Sequence, residues 1–140
     1  MWDNALRTSN TFDMEANELI ILVVEDDEPS FLYLKTILKQ IPATILRARN
    51  GKEAVDLCIE FPGISVVLMD LKMPVMDGLD ATSKIKTLRK DLPVIVITAY
   101  ALSGDERMAM ASGCDDYLTK PVKRALLFKK LKRYGITPTE

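Results

Sequence analysis

Residues 66–78 read VVLMDLKMPVMDG. Val66 to Met69 form an apolar run with no polar alternation, and the run ends abruptly at Asp70. An apolar run bounded by turn residues marks a strand buried on both faces, as in a parallel sheet. The Asp77–Gly78 pair then suits a helix start, with Asp77 as the cap of a helix through about Arg89. Leu79, Thr82, Ile85 and Leu88 would share its inner side. A strand, a turn and a helix follow one another, and a carboxylate closes the strand. Packing alone gives no reason for that carboxylate.

The same unit recurs along the chain. LIILVV (19–24) is a second fully apolar strand, and Pro29 suits the first turn of the helix behind it. Phe31, Leu34, Leu38 and Ile41 continue at helical spacing until Pro42. ATILRA (43–48) reads as a more amphipathic strand at a sheet edge, and GKEAVDLCIEF (51–61) as a helix ended by Pro62–Gly63. SVVLMD (65–70) and PVIVIT (93–98) are buried strands. A weaker helix covers about 103–112, with Gly113 ending it. A last strand spans DYLTK, and residues 122–134 form a final helix. Regular alternation of this kind predicts an α/β fold, a doubly wound five-stranded parallel sheet with helices on both faces. Residues 1–18 read as a linker or tail, 19–134 as the domain, and 135–140 as a C-terminal tail.

Composition narrows the function. The chain has 140 residues, 48% hydrophobic, with a net charge of −1. That supports a packed core and leaves no electrostatic footprint for nucleic acid. The longest apolar run is too short to span a bilayer, and no apolar signal segment opens the chain, so a cytoplasmic domain with no membrane contact is expected. The sequence contains no histidine. Ser–His and Cys–His nucleophile pairs, histidine metal sites and an internal phosphohistidine are therefore excluded. Cys58 and Cys114 have no metal or redox spacing and read as buried thiols. The methionines read mostly as core filler.

Parallel strands bring their C-terminal ends to one sheet edge, where open α/β sheets place their sites. Glu25-Asp26-Asp27, Asp70, Thr98-Ala99 and Lys120-Pro121 all fall there. A single carboxylate at a strand end is usually just leaving the core for water. A cluster is harder to dismiss, because two like charges about 4 Å apart cost on the order of 4 kcal/mol at an effective dielectric near 20. That is a large share of a small domain's stability of roughly 5–15 kcal/mol. A hard divalent cation with oxygen ligands resolves the conflict, and Mg²⁺ fits two or three carboxylates. EDDEPS lacks the spaced ligands and glycine of a calcium loop. A cation beside Lys120 and Thr98 suits a phosphoryl group in transfer, with Asp70 as the nucleophile.

Four motifs now stand in order: ILVVEDDEPS, LMDLKMPVMDG, VIVITA and GCDDYLTKP. Together they resemble the receiver domain of two-component signalling proteins, and TAYALSGDERMAMASGCDDYLTKP most resembles receivers of hybrid sensor histidine kinases. The resemblance implies the strand order 2-1-3-4-5. It implies that Asp70 takes a phosphoryl group from the phosphohistidine of a histidine kinase or histidine phosphotransfer domain. By the same resemblance Asp26 is a direct Mg²⁺ ligand, Glu25 acts on the metal largely through water, and Asp70 and the Lys72 carbonyl complete the set. Thr98 and Lys120 would hold the phosphoryl oxygens, and Ala99 would leave them room. Thr98 and Tyr117 would form the switch, Tyr117 turning inward when Thr98 moves. A homodimer through the fourth helix, fifth strand and fifth helix is a further implied option. Asp27 matches no invariant role and reads as a solvated neighbour. Pro74 and Gly78 would shape the loop after Asp70, and the Lys120–Pro121 bond would be cis.

Lys72 and Tyr100 occupy the two positions that flank the hydrolytic water in this family, and neither suits orienting it. Slow self-dephosphorylation is the expectation. Lys123, Arg124, Lys129, Lys130, Lys132 and Arg133 make the last helix basic, a solvated face or a docking surface for an acidic partner. The resemblance implies a signalling module and not an enzyme with turnover. An aspartate-nucleophile phosphatase would want an acid two residues after the nucleophile, where Lys72 stands. A flavodoxin-like cofactor binder would want a Ser/Thr/Gly-rich loop where this chain has Glu-Asp-Asp-Glu.

Overall fold

In the first strand, Ile21 to Val24 have no exposure to speak of, and the computed structural model shows why: helices cover both faces of the sheet they belong to. Residues 18–73, 75–99 and 104–139 are described by the structure. The order is β1 (Leu19–Val24), α1 (Glu28–Ile37), β2 (Ala43–Ala48), α2 (Gly51–Glu60), β3 (Val66–Asp70), α3 (Gly78–Leu88), β4 (Val94–Thr98), α4 (Asp105–Ala111), β5 (Asp116–Thr119) and α5 (Arg124–Lys132). A 3₁₀ turn, Leu38–Gln40, extends α1. The five strands are parallel and lie in the order β2-β1-β3-β4-β5, as the resemblance implied. β3 and β4, the strands read as buried on both faces, are buried along their whole length. β2 lies at an edge and stays half-buried.

Alternate strand residues feed two cores. Ile21, Val23, Leu68 and Ile97 face α1 and α5, where Phe31, Leu34, Leu127 and Leu131 meet them. Leu22, Val24, Met69 and Val96 face the other way, toward Ala54, Cys58, Ala81 and Ile85. Both cysteines are buried free thiols, and burial pushes each up to about 11, so neither is a nucleophile at neutral pH.

Several sequence readings need correction. Leu88 is more than half exposed, because residues three apart drift round a helix by about 60° per step and the last of the series has left the face that Ala81 and Ile85 bury. Met108 and Met110 on α4 are half exposed and are not core filler. Residues 135–139, read as a C-terminal tail, pack on the domain: Ile136 is buried in the core with residues of α5 and α1, and the Thr139 N–H donates to the Gln40 carbonyl over 2.7 Å. The basic face of α5 is partly committed within the chain. Lys130 Nζ and Arg133 Nη1 lie 2.8 and 2.9 Å from the buried carboxylate of Asp116 on β5. Residues 1–17, Pro74 and Tyr100 lie outside the described residues.

Candidate functional site

β1 ends in a turn that the chain needs in order to start α1. Asp27 caps that helix, accepting from Ser30 N at 3.0 Å and Ser30 Oγ at 2.8 Å. The Ser30 hydroxyl and N–H hold the Asp27 carboxyl below its usual range. Asp27 is thus exposed, as expected, but it is a cap and not an idle neighbour. The cap leaves Glu25 pointing inward and Asp26 outward: Glu25 is 1% exposed and Asp26 is exposed.

β3 delivers Asp70 into the same space. Its backbone is gripped from behind by α3, since the Gly78 N–H donates to the Leu71 carbonyl over 2.9 Å. Any Cβ at Gly78 would stand 2.2 Å from the Asp70 carbonyl oxygen. Glycine is required there for that close approach, not for unusual dihedrals. Asp77 caps α3 as the sequence predicted, accepting from Asp80 N at 2.9 Å.

Glu25, Asp26 and Asp70 each offer a carboxylate oxygen, and these oxygens all lie within 4.8 Å of one another. Lys120 closes the group, its Nζ 3.2 Å from Glu25 Oε1 and 3.7 Å from Asp70 Oδ1. The Lys120 N–H donates to the Thr98 carbonyl over 2.8 Å, and the Lys120–Pro121 bond is cis, as expected. Thr98, the last residue of β4, is 2% exposed and sits in register with Thr119.

The electrostatics follow from burial. Asp70 is pushed up to about 7, first by its own desolvation and then by the charge of Glu25, against the pull of Lys120. A hydrogen bond shared with Glu25 adds to the rise, and one from the Lys72 backbone N–H opposes it. Burial alone would weaken the Lys120 charge, but Asp70 and Glu25 outweigh it and the ammonium is held more firmly than usual. One ammonium facing two buried carboxylates leaves the pocket short of positive charge. Three oxygen-bearing acids close enough to share one ion form the donor set of a hard divalent cation.

Six of the seven residues singled out in the sequence fall at or near this edge. Glu25, Asp26, Asp70 and Lys120 converge; Thr98 adjoins Lys120 through the backbone; Lys72 is exposed on the loop after Asp70. Tyr117 stands apart. It is half-buried against the α2–α4 side of the core, and its hydroxyl hydrogen-bonds Glu106 on α4, which raises its pKa.

Sequence reasoning missed Arg47. It lies on β2 opposite Val23, and its guanidinium reaches the Glu25 and Asp26 carbonyls. The available signal was alternation: Ala43, Ile45 and Arg47 share one strand face, and an arginine there breaks the apolar series.

Beside the site, between α1 and the turn after β5, lies an apolar groove of about 310 Å³. Glu25, Lys120, Pro29 and Tyr33 line it, and the Tyr33 hydroxyl donates to the Val122 carbonyl over 2.6 Å.

Residues 21–132 match the response regulator receiver domain. The chain is 32% identical over 116 residues to the polar-differentiation response regulator DivK of Brucella anthropi, covering 81% of this chain and 94% of that protein. It is 33% identical over 133 residues to hybrid signal transduction histidine kinase I of Dictyostelium discoideum, covering 87% of this chain. This chain spans only 8% of that kinase's length, and 13% of the sensor protein GacS of Pseudomonas syringae. Among solved structures, it resembles the receiver domain of a Pseudomonas aeruginosa sensor histidine kinase with a magnesium ion coordinated in its active site cleft. There the identity is 34% and the TM-score 0.77, over 84% of this chain and 97% of that one. It also resembles, at 32% identity and a TM-score of 0.77, a Saccharomyces cerevisiae co-crystal of the phosphotransfer protein Ypd1 with the Ssk1 receiver domain, covering 84% of this chain and 89% of that one.

Proposed function

The chain belongs to the response regulator receiver domain family, and on that premise we propose that it is a phosphoacceptor signalling domain acting through Asp70. The donor is a phosphohistidine on a histidine kinase or histidine phosphotransfer domain. An Asp70 carboxylate oxygen attacks the phosphorus, a P–O bond forms, the P–N bond breaks and the imidazole leaves. Lys120, 3.7 Å from Asp70, offsets the charge that gathers on the phosphoryl oxygens, and the Thr98 hydroxyl takes one of them as a donor. Glu25, Asp26, Asp70 and the Lys72 carbonyl would hold Mg²⁺, which when bound neutralises the carboxylates and polarises the phosphoryl group. The single observation that carries this reading is the convergence of three carboxylates and one ammonium at the end of the buried β3 strand.

The switch would be Thr98 and Tyr117. Thr98 moves toward the phosphoryl group, and Tyr117 gives up its hydrogen bond to Glu106 and turns further inward. The face of α4, β5 and α5 then changes for a partner or a second copy, by as much as the phosphoryl group favours one state over the other. The apolar groove beside Glu25 and Lys120 supports donor docking next to Asp70. The domain would extend from about residue 19 to Thr139, since Ile136 belongs to the core.

Incubation with Mg²⁺ and acetyl phosphate should add the mass of one phosphoryl group per chain, read by intact-mass spectrometry. Asp70→Asn should gain none. Equal labelling of both proteins would remove Asp70 from the role.

A further inference from the structure

We propose that Arg47 is the positioning residue of the acidic loop 25–28, setting the direction in which Asp26 presents its carboxylate to a cation. The inference rests on the cation reading of the site given above. Four consecutive acids occupy this loop. Left alone, they would repel one another and splay.

Arg47 reaches the loop from the neighbouring strand. Its Nε and Nη2 donate to the Glu25 carbonyl at 3.2 and 3.1 Å, and Nη2 also reaches the Asp26 carbonyl at 3.5 Å. Those two carbonyls belong to the peptide planes on either side of Asp26. Holding both planes leaves the Asp26 Cα–Cβ bond one direction. The third nitrogen, Nη1, pairs with Glu28 Oε1 at 2.6 Å, so the same guanidinium spans the loop from end to end.

The clamp is itself held. The Arg47 side chain is 12% exposed, and its guanidinium carbon sits 4.3 Å over the centre of the Phe31 ring. Phe31 belongs to the core between the sheet and α1. A planar fork stacked on an aromatic face, with its donors divided among fixed acceptors, has no equivalent in lysine. Arg47 touches no reacting atom, so its effect runs through the ligands, as outer partners of metal sites do.

The charge of Arg47 makes the opposite prediction from its geometry. A cation beside the site repels Mg²⁺, so if Arg47 acted by charge alone, Arg47→Met would tighten Mg²⁺ binding and Arg47→Lys would leave it unchanged. If Arg47 acts by positioning, both variants weaken it. Calorimetric titration of Mg²⁺ into wild type, Arg47→Lys and Arg47→Met decides between them, without any phosphodonor. The expected result is about a 10-fold weaker Kd in both variants. Faster amide hydrogen exchange at Asp26 and Asp27 in the metal-free variants should accompany it, with the amides of β3 and β4 unchanged.

Glu28→Gln provides a second route that leaves Arg47 in place. It should weaken binding less than Arg47→Met does, and should add nothing in an Arg47→Met background. Unchanged or tighter binding in both Arg47 variants would overturn the proposal while leaving the cation site intact. A wild type that takes no Mg²⁺ would overturn the cation reading itself, and this inference with it.

Discussion

In metal-free protein the charge on Asp70 should work against folding, and its removal should stabilise the chain. Asp70 is 7% exposed, and its carboxyl is pushed from 3.8 up to about 7. Each pK unit is about 1.4 kcal/mol, so the full shift corresponds to a ceiling of about 4 kcal/mol at pH 8. Water at the open side of the pocket and relaxation of Lys120 reduce that to about 2 kcal/mol. Asp70→Asn keeps the shape, drops the charge, and gives Glu25 a neutral donor in place of a repelling carboxylate. In EDTA at pH 8 the variant should be about 2 kcal/mol more stable, or about 8 °C higher in Tm.

The sign with pH follows from the raised value. The folded protein binds the Asp70 proton more tightly than the unfolded chain, so wild type gains stability as pH falls from above 7 toward 4. Asp70→Asn lacks that gain, and the two stability curves should converge near pH 4. Saturating Mg²⁺ should reverse their order at pH 8, because ligand at 100 times Kd adds about 2.7 kcal/mol to the protein that binds it. Urea unfolding followed by far-UV circular dichroism, with EDTA and with Mg²⁺ at pH 5 and pH 8, measures all four cases. An Asp70→Asn protein no more stable than wild type in EDTA at pH 8 would refute the reasoning, since the carboxylate would then be well solvated.

Gly78→Ala should destabilise the protein by at least about 2 kcal/mol, because the new Cβ meets the Asp70 carbonyl oxygen at 2.2 Å and the Leu71 Cα at 2.8 Å, neither of which is a movable side-chain tip. Unfolding midpoints in urea check this, and the variant should also label more slowly at Asp70. Val75→Gly should stabilise by about 0.5–1 kcal/mol: Val75 holds φ at +70° while 79% exposed, so relief of about 1–2 kcal/mol exceeds the entropy cost of glycine. A loss of stability there would mean that the valine side chain makes contacts that its exposure hides.

Which parts of the protein were legible in the sequence depends on how local the cause is. β3 and β4 were legible because each is apolar up to its last residue, and only a strand covered on both faces needs that. Asp77 was legible as a cap because the next residues begin a helical pattern. The approach of Glu25, Asp26, Asp70 and Lys120 followed from parallel strands sharing one edge, before any distance was known. Leu88 was misread because a spacing of three drifts round the helix, and by the fourth residue the series has left the buried face. The methionines were read from residue type alone, which does not say which side of α4 Met108 and Met110 occupy.

Charged residues were the least legible, because a charge does not announce its partner. Lys130 and Arg133 read as one more stretch of basic surface, yet both are committed to Asp116, 14 and 17 residues away. Arg47 read as an edge-strand residue, yet its guanidinium binds the loop that Glu25 and Asp26 belong to. In both cases the acid is fixed by its strand or turn, and the long flexible side chain comes to it from an element whose own pattern is indifferent to the pairing. This division has a functional logic. The strands make Asp70 and Glu25 rigid, at a cost in charge repulsion that an apolar sheet absorbs. Lys120, reaching in from the end of β5, offsets part of that repulsion, while Arg47 holds the backbone of the turn that carries Glu25 and Asp26.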